Sequence, residues 1–348
     1  MQGLTFTRPD DWHLHLRDGD AMKSVLPFSA MQFARAIIMP NLKDYPITHL
    51  ERVLAYKQRI LAARPKDGLG SDFEPLMTLY LTDNTTPRDI EVCNGVVVAI
   101  KLYPAGATTN SAAGVTDLKK CSRALEAMQE VGMVLCIHGE VTDPAVDIFD
   151  REAVFIERVM IPLRRDFPGL KVVFEHVTTK EGVDYVWDGG KHIAATITAH
   201  HLLYNRNALF MGGLRPHYYC LPVLKSEQHR QALVNAATSG NPKYFLGTDS
   251  APHATLYKEQ AVCAAGCFTA PAALELYAMA FEAAGKLDRL EGFASFFGAD
   301  FYGLPRNTGT VTLARAPWQV RIELPFGDGT IKPFMGGETI PWQLTVPA

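Results

Sequence analysis

The sequence predicts a (β/α)8 TIM barrel of the α/β class. Eight short apolar runs recur along the chain, and stretches of helical periodicity lie between most of them. The polar residues capable of chemistry gather at the C-terminal ends of those runs, the face where barrels place their sites.

The strand-like runs are residues 12–16, 35–39, 76–81, 96–102, 133–137, 171–176, 193–198 and 244–248. Most are near-continuously apolar rather than alternating, as parallel strands buried on both faces require. Helical stretches are expected at 48–63, 116–131, 150–165, 226–237 and 270–284. The first carries Thr48 and, three residues on, Glu51 in a capping-box pattern, then Leu50, Val53, Leu54, Ile60 and Leu61 along one stripe. The second aligns Leu118, Cys121, Leu125 and Met128, with Gly132 placed to end it. After Leu304 the texture turns to Pro, Gly and Thr with extended runs at 320–324 and 342–346. The expectation is one domain over 1–348, with 305–348 as a C-terminal extension packed on the barrel.

Composition narrows the function classes. Apolar residues make up 47% and charged residues 20%, the balance of a globular chain rather than a disordered one. With 34 basic against 37 acidic residues, the net charge of −3 leaves no footprint for nucleic acid or an anionic membrane. No apolar run approaches the roughly 18 residues of a membrane span. The first residues lack a basic segment followed by an apolar stretch, so no secretory signal is expected. Six cysteines are too few for a disulfide scaffold, which points to a reduced, cytoplasmic protein. Cys93, Cys121 and Cys136 lie in apolar stretches as small core residues. Cys263 and Cys267 offer only two of the four ligands a structural zinc takes.

The first run carries His13-Leu14-His15, whose period-two spacing directs both imidazoles to one side, where they can share a metal ion. Alone, such a pair is as well read as two ordinary histidines, but Asp10, Asp11, Arg17 and Asp18 crowd around it. The fourth run ends on Lys101. Its plain reading is an amine snorkelling out at the strand end. Its functional reading is a desolvated lysine able to react with carbon dioxide and bridge two metals as a carbamate. The fifth and sixth runs end in His138 and His176, and the eighth leads to Asp249, with His253 four residues further on. Four histidines, one lysine and one aspartate from five strand ends form a donor set suited to zinc. No Gly-rich phosphate fingerprint follows any run.

In this order, H-x-H, a strand-end Lys, two further strand-end His and a final Asp resemble the binuclear metal amidohydrolase superfamily. Pro9-Asp10-Asp11-Trp12-His13-Leu14-His15-Leu16-Arg17-Asp18, Met39-Pro40-Asn41, Lys101-Leu102-Tyr103-Pro104, His138-Gly139-Glu140, Glu175-His176-Val177-Thr178-Thr179 and Gly247-Thr248-Asp249-Ser250-Ala251-Pro252-His253 resemble the short bacterial type of dihydroorotase. The similarity runs from about residue 8 to residue 305.

That resemblance implies reversible cyclisation of N-carbamoyl-L-aspartate to L-dihydroorotate in pyrimidine biosynthesis. It implies two Zn2+ per subunit. His13, His15 and Asp249 would hold one and His138 and His176 the other, with N6-carboxylated Lys101 and a hydroxide bridging them. Asp249 would serve as general base and then acid. Arg17, Asn41 and His253 would bind the substrate carboxylate, with Thr108 and Thr109 of the 105–114 loop as lid contacts and Leu221, Ala265 and His138 also touching substrate. A homodimer is implied as well. His200 and His201, beside the seventh run, read most simply as bonded to nearby backbone, and the Cys263–Cys267 loop as part of the pocket wall; neither pair receives a role.

Two rival readings remain distinguishable. A hydantoinase or dihydropyrimidinase would resemble a longer chain with strands before the metal motif, whereas here His13 leaves no room for them. A non-catalytic scaffold homologue would typically have lost metal ligands, and all six positions are filled.

Overall fold

The computed structural model describes residues 3–345, so position 346 of the expected 342–346 run lies outside the described residues. After β1 (Gly3–Thr7), eight parallel strands stand in sequence order in one sheet. They are β2 (Asp10–Leu14), β3 (Arg35–Ile38), β4 (Glu74–Tyr80), β5 (Ala99–Leu102), β6 (Val134–Ile137), β7 (Lys171–Phe174), β8 (Ile193–Ile197) and β9 (Tyr244–Leu246). Each expected run overlaps one of them, with β2 and β4 each starting two residues before the run that marked it.

The sheet curls back on itself at its C-terminal edge. Leu14 bridges Ser250 in parallel, Asp249 N donates to His13 O at 2.9 Å, and His15 N donates to Ser250 O at 3.2 Å. Buried Asp11 ties the same seam by accepting from Thr248 N at 2.9 Å and Thr248 Oγ1 at 2.5 Å. Burial raises its carboxyl to about 6, against the pull of those Thr248 hydrogen bonds. Asp10 forms a buried fork with Arg35 at 2.9 and 2.6 Å, and Asp18 pairs with Arg59. The acidic load around H-x-H is therefore largely structural, and of the four charged residues there only Arg17 reaches the cleft.

Inside the barrel, Trp12, Ile37, Leu76, Ala99, Val134, Val173, Ala194 and Phe245 belong to one buried apolar cluster. The helix Phe297–Tyr302 packs against that cluster, and Tyr302 stacks on Trp12 with ring centroids 4.7 Å apart. Gly298 permits the approach, since a Cβ there would lie 2.0 Å from Trp12 Nε1.

The helices depart from expectation in detail. The 48–63 stretch becomes a helix at Leu50–Ala63 with His49 as N-cap and no side-chain cap bond, so the capping box does not form. Thr48 Oγ1 sits instead 3.2 Å from His49 Nδ1. The 116–131 stretch starts as a 3-10 turn, Leu118–Cys121, and continues as Ser122–Val131, with Gly132 left-handed at its end as expected. The 150–165 stretch carries a π-turn at Ile156–Met160. Periodicity did not mark Gly19–Gln32, which contains Pro27, nor the short Pro87–Cys93 and Lys180–Asp188.

Beyond the barrel lie β10 (Thr310–Ala314), β11 (Trp318–Gln319), β12 (Leu324–Phe326), β13 (Gly329–Ile331), β14 (Thr339–Ile340) and β15 (Gln343–Thr345). β10 pairs antiparallel with both β1 and β15, which ties the N-terminal strand to the C-terminal segment. Among the described residues, no helix is long and apolar enough to cross a membrane.

Candidate active site

A narrow cleft opens at the C-terminal ends of the strands. His13, His15, Arg17, Asn41, Thr108, Thr109, His138, His176, Leu221, Asp249 and Ala265 all line it. Of the predicted site residues only Lys101 and His253 lie just behind its surface. Tyr103, Ala251 and Gly266 complete the wall and were not anticipated.

At the barrel seam, His13 Nε2 and His15 Nε2 lie 3.2 Å apart. Asp249 Oδ1 is 3.3 Å from the first and 3.1 Å from the second. β2 ends at Leu14, with an irregular register between Asp11 and Leu14, yet the two imidazoles converge as the spacing suggested. Burial holds both imidazoles below the usual histidine range, His15 at about 3, which favours the neutral ring a metal binds. Burial opposes ionisation of Asp249, but the adjoining His13 imidazole and hydrogen bonds with His13 and His15 hold it well below the ordinary aspartate value.

His176 follows β7 with φ of 41°, and Asp249 follows β9 with φ of 44°. Arg17 has φ of 62°. Non-glycine residues are uncommon in this left-handed region, and three of them meet in one cleft. The turn after His176 is knotted by Glu152, whose buried carboxylate accepts from the backbone N–H and hydroxyl of both Thr178 and Thr179. His138 follows β6 and its Nε2 lies 2.9 Å from Glu140 Oε2. Gly139 lets the chain pass Phe174, where a Cβ would come within 1.9 Å of the ring. The His138 and His176 rings stand 4.9 Å apart, and His13 and His176 5.1 Å apart.

Lys101 does not snorkel. It is fully buried, contacts Glu175, and its Nζ lies 4.9 Å from the Tyr103 ring centre. Burial pushes its ammonium down to about 7, against the opposing pull of Cys136 and Asp249. Glu175 also approaches His13 Nδ1 at 3.1 Å, off the hydrogen-bonding angle, so neither atom is satisfied among the described residues.

The residues fit a metal centre on their own chemistry. His13, His15 and Asp249 form one group of converging donors, and His13, Glu175 and His176 a second. The buried Nδ1 atoms of His13 and His176 have no hydrogen-bond partner among the described residues. Such orphaned nitrogens are costly unless a ligand meets them.

At the other end of the cleft, Arg17 Nη2 lies 2.9 Å from His253 Nε2, and its Nε donates to Pro252 O. The 105–114 loop folds over this end. Asn41 Nδ2 donates to Thr109 O at 3.0 Å, and Thr109 Oγ1 donates to Ala265 O at 3.2 Å. Buried Lys258 gives its amine to Tyr219 O, Ala264 O and Gly266 O at 2.8–2.9 Å, pinning the wall that carries Leu221 and Ala265. Sequence reasoning missed Lys258, Glu152 and Glu175 as supporting groups because their partners are backbone or distant in sequence.

An eight-stranded parallel barrel with histidines and an aspartate converging at its strand ends defines a metal-dependent hydrolase class, and residues 5–338 match the model of the amidohydrolase family. The chain belongs to that family and, within it, to the dihydroorotases. It is 66% identical over 344 residues to the dihydroorotase of Cupriavidus taiwanensis, covering 98% of this chain and 99% of the relative. The crystal structure of dihydroorotase from Campylobacter jejuni superposes with a TM-score of 0.90 at 36% identity, covering 98% and 97% of the two chains. That of dihydroorotase from Saccharomyces cerevisiae in complex with 5-fluoroorotic acid gives 0.89 at 33% identity, covering 99% of both.

Proposed function

We propose that this chain interconverts N-carbamoyl-L-aspartate and L-dihydroorotate, with two zinc ions per subunit. The observation that carries the reading is one cleft with the His13–His15–Asp249 cluster at one end and the Arg17–His253 pair at the other. A cyclic amide bearing a carboxylate needs both ends at once. His13, His15 and Asp249 would hold one metal and His138 and His176 the second, with N6-carboxylated Lys101 bridging them. Bound metal supplies Lewis-acid polarisation of the amide carbonyl and lowers the pKa of a water from 15.7 to about 7.

The chain's own residues do the rest. The Arg17 guanidinium, the Asn41 amide and the His253 imidazole donate to the substrate carboxylate and set its orientation. Thr108 and Thr109 cover the bound ring and exclude water, and the main chain at Leu221 and Ala265 lines it. The Asp249 carboxylate takes the proton from the attacking water and delivers it to the departing ring nitrogen, reversing the order in cyclisation. Held ionised at rest, it is ready as a base. This cationic end suits an acidic substrate better than the neutral ring of a hydantoinase.

The chain is further read as one unit with 305–348 as an extension, acting as a cytoplasmic homodimer, the commonest symmetric assembly. The test is ultraviolet loss of L-dihydroorotate by purified protein, before and after chelation and zinc return. Activity lost on chelation and restored by zinc supports the reading. No turnover in folded, zinc-loaded protein refutes it.

A further inference from the structure

A second cluster of metal donors lies behind the cleft wall, outside the set just described. It comprises His200, Cys220 and Cys267, all buried, with one donor atom from each lying within 4.8 Å of the others. His200 follows β8 in the helix Ala199–Leu203. Cys220 immediately precedes Leu221, and Cys267 immediately follows Gly266.

His200 is fully enclosed and both of its ring nitrogens lack a hydrogen-bond partner among the described residues. Its neighbour His201 shows what a satisfied core histidine looks like here. His201 Nδ1 lies 2.6 Å from Thr198 Oγ1 and its Nε2 lies 3.0 Å from Pro222 O. The expectation that both histidines bond nearby backbone thus holds for His201, at Pro222 O, and fails for His200. An imidazole with two orphaned nitrogens carries a desolvation cost that a ligand at one of them would remove.

We propose that His200, Cys220 and Cys267 bind a thiolate-preferring d10 cation, Zn2+, as a structural site separate from the two zinc ions proposed above. Two thiolates and one neutral imidazole around Zn2+ leave no net charge, which suits a buried location. Binding replaces one proton on each thiol, so two protons are released per ion. A fourth donor is at hand in His201, whose Nε2 lies 3.8 Å from Cys220 Sγ and now faces Pro222 O. The nearby amine of Lys258 gives its hydrogen bonds to three backbone carbonyls. Cys263 is not part of the group; Cys267 pairs across space with Cys220 rather than with its neighbour in sequence.

The consequence is mechanical. Ala251 N donates to Cys267 O at 2.8 Å, and the Cys220 and Cys267 segments carry Leu221, Ala265 and Gly266 into the cleft. An ion at this point clamps two walls of the substrate site from behind.

The test is zinc X-ray absorption on the wild-type holoenzyme, with zinc counted per subunit by atomic emission. The proposed active-site set contains no cysteine, so a sulfur shell at about 2.3 Å reports a thiolate site alone. The expected result is that shell together with a third zinc equivalent, both lost in Cys267→Ser and in Cys220→Ser. Absence of the sulfur shell in fully loaded wild-type protein overturns the proposal, and so does a shell that survives both substitutions. Because the wild-type spectrum needs no variant, misfolding of either mutant does not shield the idea. Loss of the oxygen and nitrogen-ligated pair would instead count against the active-site reading.

Discussion

Lys101 and Glu175 face one another at the floor of the cleft, in direct contact and without solvent exposure on either side chain. They come from β5 and from the residue after β7, 74 positions apart in the chain. In the metal-free protein, where Lys101 is a free amine, removing it strands the buried Glu175 carboxylate; in the loaded protein it deletes the proposed metal bridge. Lys101→Ala is therefore expected to lower the stability of the metal-free protein by about 3–5 kcal/mol, the cost of breaking a buried pair. Metal content should fall with it. Atomic emission and thermal melts check this, and a full metal complement in the variant would rule out a bridging role.

Asp249 is held ionised between two imidazoles at the seam of the barrel. As the proposed proton carrier it should be indispensable to turnover. Asp249→Asn is expected to lower kcat by roughly 10²–10⁴, the usual range for a lost general base. Circular dichroism should stay that of the parent. Parent-like kcat in a zinc-loaded Asp249→Asn sample would remove the proton shuttle.

Tyr103 brings a buried hydroxyl with no partner among the described residues into the cleft wall. Burial keeps it un-ionised, so it is available as a donor. If substrate meets that hydroxyl, Tyr103→Phe lowers kcat/KM by about tenfold, the worth of a hydrogen bond of roughly 1.4 kcal/mol. Stability should be unchanged or slightly higher, since the free protein loses an unsatisfied group. Steady-state kinetics with a melting curve separate the two effects, and an unaltered kcat/KM would show that substrate does not use the hydroxyl.

Glu275 sits away from the cleft, accepting from Leu344 N at 2.9 Å through one oxygen while the other is unpartnered. Burial raises its pKa from 4.5 to about 7, with the Leu344 hydrogen bond pulling the other way. The folded state thus binds more protons than the unfolded state between those values. Stability from this group is complete below about 4.5 and is lost as pH climbs towards about 7. Glu275→Gln should melt higher than the parent at pH 8 and no higher at pH 5. Equal pH slopes of Tm for the two proteins would contradict the assignment.

The barrel and most of its cleft were legible in the chain because both follow from local pattern. A buried parallel strand must be apolar almost throughout, and a polar residue that ends such a run is displayed at one face of the barrel. That is why His13, His15, His138, His176 and Asp249 could be placed from their neighbours in sequence. Arg17, Asn41 and His253 belonged to words resembling a family; the structure brings Arg17 and Asn41 into the cleft, with His253 against Arg17 behind it.

The tertiary structure alone decided what depends on contacts between distant segments. Thr48 and Glu51 carried a capping pattern, but the N-cap falls one residue on, at His49, and the helix starts at Leu50. Asp10 and Asp11 stood out as charge crowded around H-x-H and proved to be structural anchors, because the pairing of β2 with β3 and its closure against the segment after β9 bring Arg35 and Thr248 to them. Cys267 paired by spacing with Cys263 but by space with Cys220 and His200. Periodicity reports which face a residue shows, whereas a hydrogen bond or a ligand set requires two particular atoms to meet. That meeting is settled by how the strands close into a barrel, which no local stretch of the sequence encodes.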